Sequence, residues 1–418
     1  MKTSRELNRR RLIKAGLGMA AGTVLPGRGV VSAPVKSATP ASTSRVLGTP
    51  PSKLGQRSPY VRMERLVPAA LPSGVSLTPL ERLDGIVTPS DLHFERHHAG
   101  VPDIDPADYR LLIHGMVDRP RIFTLADLQR FPAESRICFI ECSGNGYRAS
   151  LPPDALPREI SATQLDGLLS VSEWTGVRLA TLFREVGVQA RARWFLAEGG
   201  DAALMDRSIP VHKAWEDAML VYAQNGEPLR PGQGYPVRLL LPGWEGNTSV
   251  KWLRRLELSD APFMTREETS KYSDAGADGR IEQFTLRMGV KSLITRPSYG
   301  AGLARRGWHE IRGLAWSGTG RIARVEVSVD SGRHWHSADL QPPVLDKCTT
   351  RFRFGWDWNG AETIIMSRAL DEAGNRQLPY KENERNRGPG TFYHNNGIRA
   401  WKIHRDGSVT FALRDMLT

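Results

Sequence analysis

Ile137-Cys138-Phe139-Ile140-Glu141-Cys142-Ser143-Gly144-Asn145-Gly146 is an apolar run with the look of a buried strand, ending in a cysteine and passing directly into a turn of small residues. A thiolate at a strand end suits a soft metal, and the missing side chains beyond it let a bulky cofactor approach. An inert core cysteine fits the same residues from composition alone, because free cysteines are usually buried hydrophobes. A zinc or redox pair of Cys138 and Cys142 fits less well: the spacing is C-x3-C, the chain holds three cysteines in all, and a disulfide between residues on one face of a strand is strained.

Outward from this stretch, the pattern mixes strands and helices as far as about residue 262. Residues 110–117, 136–142, 237–241 and 252–258 read as strands, and Thr124-Leu-Ala-Asp127 is a capping box opening a short helix. From Thr175 onward Leu179, Leu182, Phe183 and Val186 fall at helical spacing. Beyond about Tyr272 period-two alternation takes over. Val325, Val327 and Val329 alternate with polar neighbours before a turn at Asp330-Ser331-Gly332, and Phe352, Phe354, Trp356 and Trp358 alternate likewise. The expected fold is therefore α+β followed by an all-β, immunoglobulin-like sandwich.

The chain has 418 residues and a formal charge of +12, but half of that excess lies in residues 1–32, where seven basic side chains face Glu6 alone. The rest is mixed in sign, with no basic block interleaved with aromatics, so nucleic-acid binding is not expected. Asn8-Arg9-Arg10-Arg11-Leu12-Ile13-Lys14 resembles a twin-arginine export signal, and the apolar stretch from Ala15 to Leu25 is too short and glycine-rich to span a bilayer. The expectation is export to the periplasm, with no membrane span once the signal is removed. Few cysteines argue against a disulfide framework, and no C-x-x-C-H is present, so no c-type haem is expected on this chain. The expected organisation is a signal at 1–33, a Ser/Thr/Pro-rich arm at 34–74, a cofactor-binding domain at 75–270 and the sandwich at 271–418.

The cysteine stretch resembles the C-x-G-N segment of the sulfite oxidase family, whose cysteine binds molybdenum in a molybdopterin cofactor; Cys142 is the matching residue. Other segments follow in the family's order: His93-Phe94-Glu95-Arg96-His97-His98, Trp174-Thr175-Gly176-Val177 as a W-x-G segment opening a helix, Gly234-Tyr235-Pro236-Val237-Arg238, Val250-Lys251-Trp252 and Lys271-Tyr272. The export signal, HFERHHAGVPDID at 93–105 and Glu268-Thr-Ser-Lys-Tyr272 are similar to one branch, the molybdenum subunit of the Sox-pathway sulfane dehydrogenase. The resemblance implies a molybdenum-molybdopterin cofactor, a reduced sulfur substrate held on a carrier protein, a c-type cytochrome subunit as electron acceptor, and a homodimer formed through the sandwich.

It also implies roles. Cys142 would be the metal ligand, Arg96 would hold the anionic substrate, and Tyr272 would hydrogen-bond beside the reacting atoms. His98, Arg238 and Lys251 would neutralise the pterin phosphate, with Ser143, Asn145 and Asp201 as further cofactor contacts. Two positions depart from the pattern of animal sulfite oxidases: Gln233 stands where a histidine precedes the Gly-aromatic-Pro segment, and His394 where an anion-binding arginine is expected. Read without the resemblance, Arg96 and Arg238 fit surface ion pairs, Lys251 a strand edge, Asp201 a loop and Tyr272 a core aromatic. Zinc on His93, His97 and His98 is disfavoured, since neighbouring side chains of an extended chain point apart. The rivals are a sulfite dehydrogenase acting on free sulfite, a molybdenum methionine sulfoxide reductase, and a periplasmic binding protein built on the sandwich.

Overall fold

The computed structural model describes residues 50–68, 74–152, 154–276, 278–388, 392–413 and 415; the expected leader at 1–33 and part of the arm at 34–74 lie outside them. Val61–Thr418 form one compact unit. The apolar run around Cys138 is the strand Glu134–Glu141, paired antiparallel along its whole length with Leu169–Arg178 so that Glu141 faces Leu169. Leu169–Arg178 pairs in turn with Met219–Gln224, which carries Glu227–Pro228 and Arg238–Leu240 beside it. A second sheet runs in the order Arg121–Phe123, Leu111–Gly115, Leu253–Ser259, Trp194–Gly199, Asp206–Pro210; its Leu111–Gly115 and Leu253–Ser259 strands are parallel.

The capping box forms as predicted. The Thr124 hydroxyl accepts the Asp127 backbone N–H, the Asp127 carboxylate accepts that of Thr124, and Leu125–Gln129 is helical. Leu179, Leu182, Phe183 and Val186 are the buried face of the helix Leu179–Val186. Its start differs from the expectation: Thr175 to Arg178, and the W-x-G segment with them, belong to the long strand. Gly176 faces Val221 and Val177 faces Leu220, so ladder pairing across the sheet overrides the local helical spacing.

The C-terminal half is a β-sandwich. One sheet runs Lys291–Arg296, Gly307–Trp316, Thr350–Trp358, Asp339–Gln341; the other His336–Ser337, Ile322–Ser328, Thr363–Asp371, Ala400–Ile403, Val409–Phe411. Leu293, Ile311 and Trp316 of the first meet Val325, Val327, Ile365 and Trp401 of the second in one core, which continues into Phe139, Leu165, Leu169 and Val171 of the N-terminal half. One helix, Tyr380–Arg387, was not expected here. All but its first residue are polar, so it shows no apolar periodicity to read.

The two halves meet at a fully buried charge cluster under the cysteine turn. Lys291 Nζ lies 2.5 Å from Asp166 and 3.3 Å from Glu141, and Arg399 Nε 3.1 Å from Asp166. Glu141 also accepts the Trp316 indole N–H at 2.6 Å and the Asn145 amide at 2.9 Å. Gly146 is required beside it: its φ is +84°, and a Cβ there would come within 2.4 Å of Arg399 and 2.7 Å of Asp166. Two carboxylates against two cations, with the remaining oxygens hydrogen-bonded, meet the condition under which buried ions are tolerated. Lys291→Met leaves both carboxylates short of their shared cation, so it is expected to cost about 3–5 kcal/mol, read as a lowered urea midpoint of the metal-free protein.

Candidate functional site

The strand Glu134–Glu141 ends at the wall of a cavity enclosing about 680 Å³ including its mouth, a size suited to a cofactor-class ligand. Its lining draws on segments far apart in the chain: His93, Phe94 and Arg96 to His98, then Cys142, Asp201 and Met205, Gln233, Arg238, Asn247, Ser249 to Trp252, and Tyr272. Of the residues singled out in the sequence, Arg96, His98, Cys142, Asp201, Arg238, Lys251 and Tyr272 come together here. Ser143 and Asn145 do not line it: the Ser143 hydroxyl accepts the Asn247 amide at 3.0 Å, and the Asn145 amide is spent on Glu141 and the Asp166 carbonyl.

Local structure explains each placement. His93 to His98 follow a short turn and pass through the strand Glu95–Arg96, which pairs with Val75–Ser76 and fixes alternate side chains to opposite sides. Arg238 opens a strand held against Val221. Gly234 sits between the cations with φ +105°; a Cβ there would press on Lys251 at 3.0 Å and Arg238 at 3.1 Å. Tyr272 follows the helix Arg266–Ser270, its backbone N–H bound to the Glu267 carbonyl at 2.9 Å. Cys142 itself is partly exposed to the cavity, and burial pushes its thiol up from the ordinary value while the Gly144 backbone N–H opposes that. The other two cysteines, Cys138 and Cys348, are buried, and all three are free thiols.

The electrostatics of the cavity are one-sided. Arg238 is buried with no carboxylate partner among the described residues; it donates to the carbonyls of Gln233 at 3.1 Å and Ser249 at 2.9 Å, and it stacks on Trp174. Burial brings its guanidinium down to about 9. Lys251 Nζ likewise meets carbonyls, of Arg96 at 3.2 Å and Gly232 at 3.1 Å, and the Nδ1 of His97 at 2.6 Å. Burial, then the nearby Arg238 charge, hold it well below the usual lysine range. Its nearest anion is one step removed, since His97 Nε2 lies 2.8 Å from Glu95. His93 Nε2 is buried with no partner among the described residues, and burial lowers that imidazole to about 3. Cations without carboxylates and an orphaned ring nitrogen are what an anionic occupant would satisfy.

At the other end of the cavity the Tyr272 hydroxyl lies 3.3 Å from His98 Nε2. Burial lowers His98 and raises the phenol, so a neutral imidazole faces a protonated tyrosine. His98 therefore stands by Tyr272 rather than by the lysine, and His97 takes the place beside Lys251. Gln233 donates to the Phe94 carbonyl at 2.9 Å and lines the cavity. His394 is not at the wall: its ring is fully buried, 2.6 Å from Glu245. Among the described residues no group of three or more His, Cys, Asp or Glu is arranged to hold a metal ion. His93, His97 and Asn247 are lining residues the sequence left unassigned; the spacing of the histidines was visible, but which ring met which cation was not.

Residues 98–267 match the oxidoreductase molybdopterin binding domain, and residues 282–399 the Mo-co oxidoreductase dimerisation domain. The sulfite oxidase of Gallus gallus is 32% identical over 322 residues, covering 70% of this chain and 68% of that one. An NADH nitrate reductase of Ulva prolifera is 29% identical over 337 residues; this chain spans 38% of its length. The crystal structure of the sulfane dehydrogenase SoxCD from Paracoccus pantotrophus superposes with a TM-score of 0.81 at 39% identity, covering 87% of this chain and 99% of that one.

Two outcomes are expected of the metal-free protein. Inorganic pyrophosphate should raise its melting temperature, and Lys251→Met should weaken that binding roughly ten- to hundred-fold while leaving the ligand-free protein no less stable, because a poorly compensated buried charge has gone. His93 makes the stability sensitive to acid. Between about 6.5 and its native value near 3 the unfolded chain takes a proton that the native ring refuses. Stability is therefore lost as pH falls through that window, at up to about 1.4 kcal/mol per unit. His93→Gln should flatten that part of the profile in urea titrations at pH 7 and pH 4.

Proposed function

Because the chain belongs to the sulfite oxidase family of molybdopterin oxidoreductases, we propose that it oxidises a reduced sulfur substrate, a sulfane sulfur held on a carrier protein, and passes the electrons to a c-type cytochrome subunit. The observation that carries this reading is the cavity itself: a cysteine thiol at one end of a chamber whose buried cations, Arg238 and Lys251, have no carboxylate bonded to them among the described residues. A molybdopterin is anionic through its phosphate and soft-ligand-seeking through its metal, and this donor set fits both needs. When bound, the cofactor supplies the oxidation of sulfur, with water as the ultimate source of the oxygen.

The chain's own residues bind and orient. Cys142 would hold the metal as thiolate. Arg238, Lys251 and Gln233 hold the phosphate end, with His97 fixing the lysine through Nδ1. Arg96, which lines the same cavity and donates to the His97 carbonyl, brings its guanidinium to the anionic sulfur group. Tyr272 directs its hydroxyl into the same space, oriented by His98 Nε2. Each oxygen gained by sulfur releases two electrons, and the transfer to a one-electron carrier calls for a haem protein partner. We further assign the protein to the periplasm, delivered folded by the twin-arginine route, and to a homodimer joined through residues 282–399.

Free sulfite is the second reading, favoured by the 32% identity to a sulfite oxidase. The deciding experiment measures molybdenum and pterin in protein made with intact export and ample molybdenum, wild type beside Cys142→Ser, and cytochrome-linked oxidation of sulfite and of sulfane-loaded carrier. Near-stoichiometric metal, turnover lost in the variant and a carrier rate at least tenfold above that for sulfite support the proposal. Faster sulfite turnover selects the second reading, and a folded, metal-free wild type overturns both.

A further inference from the structure

We infer that Arg207, which does not touch the cavity, is the residue that positions Tyr272 and locks it to the cysteine turn. Arg207 lies on the strand Asp206–Pro210 with a fully buried side chain. Its guanidinium carbon sits 4.7 Å from the centre of the Tyr272 ring, a cation over an aromatic face in a desolvated place. The rest of the fork is used in two directions. Nε donates to Glu268 at 2.7 Å, and Glu268 lies on the short helix that delivers Tyr272. The opposite nitrogen donates to Glu245 at 3.3 Å and to the side-chain oxygen of Asn247.

Asn247 in turn donates to the Ser143 hydroxyl at 3.0 Å and to Glu245 at 2.7 Å. One guanidinium therefore joins the face of the tyrosine, the helix before it, and the residue after the cysteine. The carboxylates around it are Glu268 on one arm of the fork and Glu245 on the other, and the His394 ring lies 2.6 Å from Glu245. Glu268 also accepts the Ser208 backbone N–H at 2.9 Å, which ties the tyrosine helix to Arg207's own strand. A lysine supplies the same charge but neither the planar stack nor a rigid fork whose separate nitrogens reach Glu268, Glu245 and Asn247 together. In effect the tyrosine's angle in the cavity is set from behind, by a residue with no access to substrate.

The inference about turnover rests on the oxidoreductase reading; the inference about placement does not. The test is a double-mutant cycle with Arg207→Lys and Tyr272→Phe, read two ways. In the loaded protein, Arg207→Lys should keep its molybdenum and leave KM within about twofold, while kcat falls roughly ten- to hundred-fold. The double variant should be no slower than Tyr272→Phe alone, because Arg207 acts through the tyrosine. In the metal-free protein, the near-ultraviolet circular dichroism contributed by Tyr272, obtained as wild type minus Tyr272→Phe, should collapse in the Arg207→Lys background.

Additive losses in kcat, or an unchanged tyrosine signal, overturn the inference and leave Arg207 an ordinary buried ion. If Arg207→Lys does not fold, Glu268→Gln takes its place. It removes one of the fork's two anionic partners, keeps one oxygen for Arg207 Nε and the Ser208 N–H while giving up the second guanidinium bond, and should give the same non-additive pattern with a smaller loss. A wild type without metal or turnover counts against the oxidoreductase reading, and the dichroism then decides Arg207 by itself.

Discussion

Everything at the cavity depends on the buried cluster in which Glu141 and Asp166 meet Lys291 and Arg399. Glu141 directly precedes Cys142 in the chain, and Asn145 follows it by three residues, so the cysteine turn is pinned on both sides by bonds to one carboxylate. The cations come from the sandwich. A loop of small residues has little packing of its own to hold its shape, and the cluster supplies the constraint that Gly144 and Gly146, having no side chains, cannot. The N-terminal half thus borrows part of the rigidity of its functional turn from the C-terminal half.

The cavity shows the reverse arrangement. Under the turn every buried charge has an opposite one within hydrogen-bond reach, whereas along the cavity Arg238 and Lys251 are held by carbonyl oxygens and aromatic faces. Carbonyls orient a cation without cancelling it, so the cavity keeps a net positive field aimed at its interior. Such a site costs stability in the empty protein, and the cost is recovered on binding an anion. The same contrast explains why Arg207 belongs to structure rather than to the binding set: its two glutamates neutralise it, and its stack on Tyr272 uses what remains of its surface.

Much of this was legible residue by residue. The capping box at Thr124, the buried face of Leu179 to Val186, the strand leading to Cys142 and the alternating valines of the sandwich are local patterns whose periods are set by backbone geometry. The misplaced start of the helix after Trp174 shows where this stops: Gly176 and Val177 are strand because Leu220 and Val221 lie beside them, information held some forty residues away. The polar helix Tyr380–Arg387 was invisible for the complementary reason, having almost no apolar face to announce it.

For the site, the sequence by itself determined the chemical inventory: a thiol at a strand end, arginines, a lysine, histidines and a tyrosine in an order that matches one family. Only the tertiary structure decided their pairing. It set His97 rather than His98 beside Lys251, withdrew Ser143, Asn145 and His394 from the cavity wall, and placed Arg207 behind Tyr272. The physical reason is that a residue's type and local period follow from its neighbours in the chain. Whether a buried charge is neutralised or left to act depends on partners brought in from other strands, and no local pattern encodes those distances.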